Sequence, residues 1–105
     1  MPRRIRPADG DAALTSWRAD ADAPRDVRAT AVRYSLEELA DRAPGHSVEV
    51  RVPPYAAVQV VPGVRHTRGT PPAVVETDAE TWLALATGRT TLHEDVSSGA
   101  VSASG

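Results

Sequence analysis

Two short segments of alternating residues, separated by a proline pair, constrain the fold of this chain more than any other feature. In 48–52 the valines at every second position alternate with a glutamate and an arginine, which is the period of a strand with one buried face. The two prolines interrupt the pattern, and 55–61 resumes it. Because the connection is short, we expect two adjacent antiparallel strands.

Helical patterns precede this predicted hairpin. Residues 1–8 contain two prolines and are predicted to form an extended lead-in, after which Asp9 is expected to cap a short helix that ends near residue 20. Apolar residues at helical spacing predict a second helix over about 26–43, which a proline–glycine pair ends.

Further elements follow the hairpin. Residues 73–77 read as a third strand. Thr77 and Glu80 have the spacing of a capping box, which predicts a helix that ends just before a glycine. A short helix over 92–98 and a last strand over 100–104 complete the chain.

This order of elements predicts an α+β fold with a mainly antiparallel sheet covered by helices on one face. The 105 residues fit one domain that spans 1–105. Phenylalanine is absent, so the few large aromatic side chains are expected to anchor a core that is otherwise rich in alanine and valine. These anchors are Trp17, Tyr34, Tyr55 and Trp82.

Composition excludes several classes of function. The chain has no cysteine, which rules out disulfides, zinc–thiolate sites and a cysteine nucleophile. The net charge is −2 and the charges are interspersed, whereas a nucleic-acid-binding protein usually carries a basic patch. No apolar run is long enough to cross a bilayer, and no secretory signal follows the basic N-terminus, so we expect a cytoplasmic location.

No pattern for catalysis is present. The sequence lacks a nucleophile elbow, a phosphate loop and a dinucleotide fingerprint, and its three histidines lie far apart. Three consecutive residues, His93, Glu94 and Asp95, would point in different directions on a helix and are read as solvated. We expect no catalytic residue, no metal and no cofactor. The alternative is an enzyme that uses His66 with nearby arginines, which would require a concave site around His66.

One polar cluster stands out, formed by Arg65, His66 and Arg68 with Arg51 as a possible neighbour. Such a cluster could hold a carboxylate or phosphate head group, because guanidinium groups bind these anions with two parallel hydrogen bonds. The alternative is a surface loop in which the arginines pair with carboxylates.

From Ala73 onward the chain follows a defined order: a strand, an acidic helix start, an aromatic residue, a glycine followed by a basic residue, a short helix, a second glycine and a last strand. The residues that carry it are those at 74–78, Trp82, Leu83, Leu85, Gly88, Arg89, Val96, Ser98, Gly99, Val101 and Gly105. In this order and spacing, residues 46–105 resemble the sterol carrier protein type 2 family. Segments 31–34, 48–54 and 65–72 make the full length similar to bacterial orthologues of that fold from high-GC Gram-positive bacteria.

The resemblance implies a non-enzymatic carrier of a lipid or another apolar small molecule, bound in a tunnel between sheet and helices. The wider family continues beyond the position of Gly105 with an element that helps to close the tunnel, so a small or open pocket is expected. The predicted pocket residues are Leu36, Leu39, Val50, Val58, Trp82, Leu85, Leu92 and Val96.

The alternative that the resemblance leaves open is a protein-interaction or accessory module without a bound ligand. Related domains occur fused to thiol-dependent isomerases, where the metal site belongs to the other domain. A large apolar surface patch would favour this alternative over the carrier.

Overall fold

The computed structural model describes residues 5–63 and 73–104. Within them the chain forms four helices and four strands in the predicted order, which confirms the α+β class. The elements are α1 (Pro7–Ala19), α2 (Arg25–Arg42), β1 (Val48–Val52), β2 (Ala56–Val60), β3 (Ala73–Thr77), α3 (Ala79–Ala86), α4 (Leu92–Ser98) and β4 (Val101–Ser104).

The strands form one sheet in the order β2-β1-β3-β4. Strands β1 and β2 pair antiparallel, with Val50 opposite Val58, and the Tyr55 N–H donates to the Val52 carbonyl at 3.0 Å to close the turn. The predicted hairpin is therefore confirmed. Strand β3 pairs parallel to β1 and antiparallel to β4, so two of the three strand pairs are antiparallel.

The core lies on one face of the sheet. Val50, Val52 and Val60 point to this face and are almost fully buried, and they belong to one cluster with Leu36 of α2 and Leu83 of α3. The opposite face of β1 carries a glutamate and an arginine. The alternation that predicted the strands thus separates a helix-covered face from a polar one.

Helix α2 is the central helix, because it packs against α1, α3 and the edge strand β2. Its buried residues are Ala31, Val32, Tyr34, Ser35 and Leu36, which cover an arc of the helix surface that is wider than a single stripe. The predicted stripe continued to Ala43, but the residues beyond Leu36 are at most half-buried. Contacts with Gly10 of α1 and Trp82 of α3 bury Tyr34 and Ser35, which lie off the predicted stripe.

Two helix starts differ from the predictions. Helix α1 begins at Pro7 and not after a cap at Asp9, because proline needs no N–H partner and its fixed backbone angle suits the first helical position. The expected lead-in is therefore wrong at Pro7 and Ala8, which are helical, and its residues 1–4 lie outside the described residues. Helix α3 is capped by Asp78, whose carboxylate accepts from the Thr81 N–H at 2.7 Å. The Thr77 hydroxyl instead donates to the carbonyl of Ala100.

Helix α1 is fixed to the rest of the fold at two places. A Cβ atom at Gly10 would lie 2.1 Å from the ring of Tyr34, so only glycine allows α1 and α2 to approach this closely. At the other end Trp17 is 2% exposed, and the Arg89 guanidinium lies 4.9 Å from its ring centroid. Arg89 also donates to the carbonyl of Arg18 at 2.7 Å, which satisfies a backbone acceptor in the last turn of α1.

Candidate functional site

An open groove with a volume of about 1080 Å³ lies between α2 and β2. Strand β2 is an edge strand, and among the described residues its outer side faces α2 and no further strand. The apolar wall of the groove comes from Ala40 on α2 and from Ala56 and Val58 on β2, and the fully buried side chain of Leu36 on α2 lies behind it. Since three of these four side chains are alanine or valine, the helix and the strand do not fill the space between them.

Hydrogen bonds hold α2 against β2 at both ends of the groove. At one end the Arg33 Nε–H donates to the Tyr55 carbonyl at 3.3 Å. At the other end the Val61 N–H donates to the Ala43 carbonyl at 2.7 Å. The residue numbers of both α2 and β2 increase from the first contact to the second. The helix and the strand therefore run in the same direction, and the groove lies along them.

The end of the groove near Val61 is tightly built. Val61 has a φ of 69°, an unfavourable angle for a β-branched residue. Its carbonyl accepts from the Ser47 hydroxyl at 2.7 Å, and its N–H is held by Ala43. A Cβ atom at Gly45 would lie 2.1 Å from this carbonyl oxygen. The surrounding contacts therefore hold a backbone angle that valine alone would not adopt.

Charged side chains occur along the rim of the groove. Arg33, Glu37 and Asp41 follow one another at four-residue spacing on α2. The Glu37 carboxylate accepts from the Ile5 N–H at 3.4 Å, which brings the chain before α1 to the same groove. At the far end His46 Nδ1 lies 2.8 Å from Gln59 Oε1. An apolar wall with a few polar groups is the usual character of a small-molecule site.

The predicted pocket residues are dispersed in the structure. Leu36 and Val58 line the groove. Val50 is buried in the core beside Val58, and Leu39 is half-buried against that core. Trp82 and Leu85 lie on α3. Leu92 and Val96 lie on α4, with exposed fractions of 54% and 45%.

The layer between sheet and helices, where the resemblance implied a tunnel, is occupied by side chains in the described residues. Leu36, Leu83, Val32, Val52 and Val60 are the largest fully buried side chains and pack in one cluster there. The groove therefore lies at the edge of the sheet, beside this packed layer.

Trp82 is half-buried and is directed to α2. Its indole N–H donates to the Ser35 hydroxyl oxygen at 2.8 Å, and that hydroxyl donates to the Ala31 carbonyl at 2.7 Å. Ser35 is itself 8% exposed, so the bond satisfies two polar groups in a largely apolar contact. This side of α2 is filled, whereas the side that faces β2 is open.

The predicted anion cluster is only partly described. Arg51 forms an ion pair with Glu49, with Nη2 2.6 Å from the carboxylate, and Glu76 is its register partner on β3. Two carboxylates thus flank Arg51, as expected for an arginine in a surface pair. The other members, Arg65, His66 and Arg68, lie outside the described residues.

The acidic residues at the start of α4 form hydrogen bonds with neighbouring threonines. The buried carboxylate of Asp95 accepts from the Thr90 hydroxyl at 2.7 Å, and Glu94 bonds to Thr91 through both its amide and its carboxylate.

Within 5–63 and 73–104, no group of three or more histidine and acidic side chains could hold a metal ion. Across the same ranges, none of the helices has the length and apolar character needed to span a bilayer.

The sequence predictions missed the residues that build the groove, apart from Leu36 and Val58. Arg33, Glu37 and Asp41 lie mostly off the apolar stripe of α2, and none of them was predicted as a site residue. Their four-residue spacing places them in one row, but only the position of β2 at the sheet edge turns that row into a groove rim.

Comparison with known families gives a match over most of the chain. The model of the bacterial SCP ortholog family, where SCP denotes sterol carrier protein, matches residues 24–105. The matched range begins just before α2 and includes the whole sheet, and α1 precedes it. A search of curated proteins found no match. The match covers most of the chain, and the chain belongs to this family.

Proposed function

We propose that this member of the bacterial sterol carrier protein ortholog family binds an apolar or amphiphilic small molecule in the groove between α2 and β2, without catalysing a reaction. The observation that carries the proposal is the open groove of about 1080 Å³ with an apolar wall. Pockets that hold small molecules have volumes of roughly 300–1,000 Å³. A lipid-sized ligand therefore matches the space.

The energetics favour weak, reversible binding. Burial of apolar surface contributes about 25 cal/mol per Å², so a ligand that buries about 300 Å² gains roughly 7–8 kcal/mol. Loss of translational and rotational freedom opposes this gain. Because one side of the ligand stays in water, we expect a dissociation constant in the micromolar range or weaker.

Two measurements test the proposal. Mass spectrometry of molecules extracted from the natively purified protein would identify a bound lipid. Titration with a fluorescent fatty acid would give a saturable curve for the wild type and a much weaker one for Val58→Trp, because the indole would fill the groove. Val96→Trp makes the same change at an exposed position outside the groove and serves as the control. Equal affinity in both variants would place the ligand elsewhere and refute the proposal.

A second candidate function is a protein-interaction module, for which α4 offers a surface smaller than the large apolar patch that would favour it over the carrier. Leu92 and Val96 are four residues apart on α4 and both are exposed, so they form a small apolar surface. The absence of saturable lipid binding by the folded protein would shift the weight to this candidate. A change of both residues to serine should then abolish binding to the partner while leaving the fold intact.

A further inference from the structure

We infer that Arg33 is the specificity-determining residue of the groove and that it selects an amphiphile with a carboxylate head. The head would lie at the Tyr55 end, and the apolar tail would follow Ala40 and Val58 toward the other end. This inference rests on the proposed function, because it assumes that the groove holds a ligand.

The first observation is an ion pair that does not form. Arg33 and Glu37 have the four-residue spacing at which opposite charges on a helix pair. Arg42 and Glu38 have the same spacing on the same helix, and their side chains do pair, at 3.4 Å. Arg33 instead donates through Nε to the Tyr55 carbonyl, while the carboxylate of Glu37 accepts from a backbone N–H.

The second observation concerns the donors that remain. The contact with Tyr55 uses only Nε of Arg33, and among the described residues the guanidinium has no carboxylate partner. Arg33 lines the groove, so its terminal amino groups are available to a ligand there. A planar guanidinium binds a carboxylate through two parallel hydrogen bonds, and the bond to the Tyr55 carbonyl restricts the orientation of the group beforehand.

The third observation is the order of charge along the groove. Glu37 follows Arg33 at about 6 Å along the helix axis, given a rise of 1.5 Å per residue. A carboxylate is attracted at the Arg33 end and repelled farther along. An anionic amphiphile would therefore bind in one orientation, with its tail between Ala40 and Val58.

The test uses two ligands that differ only in head charge: dansyl-labelled undecanoic acid and its methyl ester. In titrations of the intact protein, Arg33→Gln should weaken binding of the acid about three- to tenfold, and binding of the ester should change less than about twofold. Arg42→Gln removes an arginine from the same helix outside the groove and should leave both affinities within about twofold. Arg33→Lys keeps the charge and should give an intermediate affinity for the acid.

Salt gives an independent readout, because a contact between exposed charges is screened. Added salt should weaken binding of the acid to the wild type and have much less effect on Arg33→Gln. If both ligands bind and Arg33→Gln shifts neither, or shifts both equally, the role of Arg33 is overturned while the proposed function stands. If neither ligand binds the folded wild type, both are overturned.

Discussion

The two sides of helix α2 differ in how they meet their neighbours. Toward α1 and α3 the contacts are close: the ring of Tyr34 fits against Gly10, and Ser35 accepts the indole N–H of Trp82. Toward β2 small side chains such as Ala40 and Ala56 leave a groove. The same helix thus forms a closed interface where large and small residues face each other, and an open one where small residues meet.

The difference in packing between the two sides of α2 affects both stability and function. The closed side carries three of the four aromatic anchors, Trp17, Tyr34 and Trp82, and is expected to supply most of the folding energy of α2, since large aromatic side chains give the most burial per residue. The open side contributes less to stability and is free to accept a ligand. Substitutions on the two sides should therefore separate folding from binding.

The largest effect is expected on the closed side at Trp17, which is 2% exposed. Trp17→Ala should lower the free energy of unfolding by about 3–5 kcal/mol, because it removes a buried ring and the surface on which Arg89 lies. Urea unfolding followed by circular dichroism measures this loss. Trp17→Phe keeps most of the burial and should cost less than the alanine variant. A loss below about 1 kcal/mol in Trp17→Ala would contradict the role of α1 in the core.

A smaller effect is expected at Trp82, which is half-buried on the same side of α2. Trp82→Ala should cost about 3 kcal/mol, and Trp82→Phe about 1 kcal/mol, since the second change mainly removes the hydrogen bond to Ser35. Comparing the two variants in urea unfolding separates ring burial from the hydrogen bond. Equal losses would mean that the bond, and not the packing of the ring, dominates this contact.

On the open side, a substitution should change ligand binding more than it changes stability. Ala40→Leu adds apolar volume to a groove that has room for it, so the free energy of unfolding should change by less than about 1 kcal/mol. Binding of the dansyl-labelled acid should weaken by an order of magnitude or more, since the leucine occupies ligand space. Ala86→Leu is the matched control, because Ala86 is exposed on α3 outside the groove. A large loss of stability in Ala40→Leu would show that the groove closes in solution.

Local sequence patterns predicted the elements well but the groove poorly. The period of two in 48–52 and the proline pair after it determine a hairpin and its buried face, and both were predicted. The parallel neighbour of β1 was not, because the strand order depends on how the chain crosses from β2 to β3. That order makes β2 an edge strand, and the groove depends on it.

Predictions for single residues also differ from the structure where the partner of a residue is distant in sequence. Thr77 has the spacing of a helix cap, but its hydroxyl bonds to the carbonyl of Ala100, and Asp78 caps α3 instead. Leu92 and Val96 were expected to line the pocket that the resemblance implies, and their contact with a ligand stays a prediction. The structure exposes them, since α4 is short and packs mainly beside β4.

The smallest expected effect is a change of stability with pH, caused by Tyr34 on the closed side of α2. Burial raises the pKa of Tyr34 above its ordinary value of 10.0, and hydrogen bonds from its hydroxyl to the carboxylates of Asp11 and Glu38 raise it further. The folded state therefore holds this proton more tightly than the unfolded state. The resulting stabilisation is fully present below the unfolded pKa and is lost as the pH rises from about 10 through the folded pKa.

Urea unfolding of the wild type at several pH values from about 8 to 11 should show this loss. Tyr34→Phe removes the titrating group while keeping the ring against Gly10, so the fall above pH 10 should be shallower in this variant. Identical slopes in the wild type and Tyr34→Phe would mean that the hydroxyl of Tyr34 does not link α1 to α2 through these carboxylates.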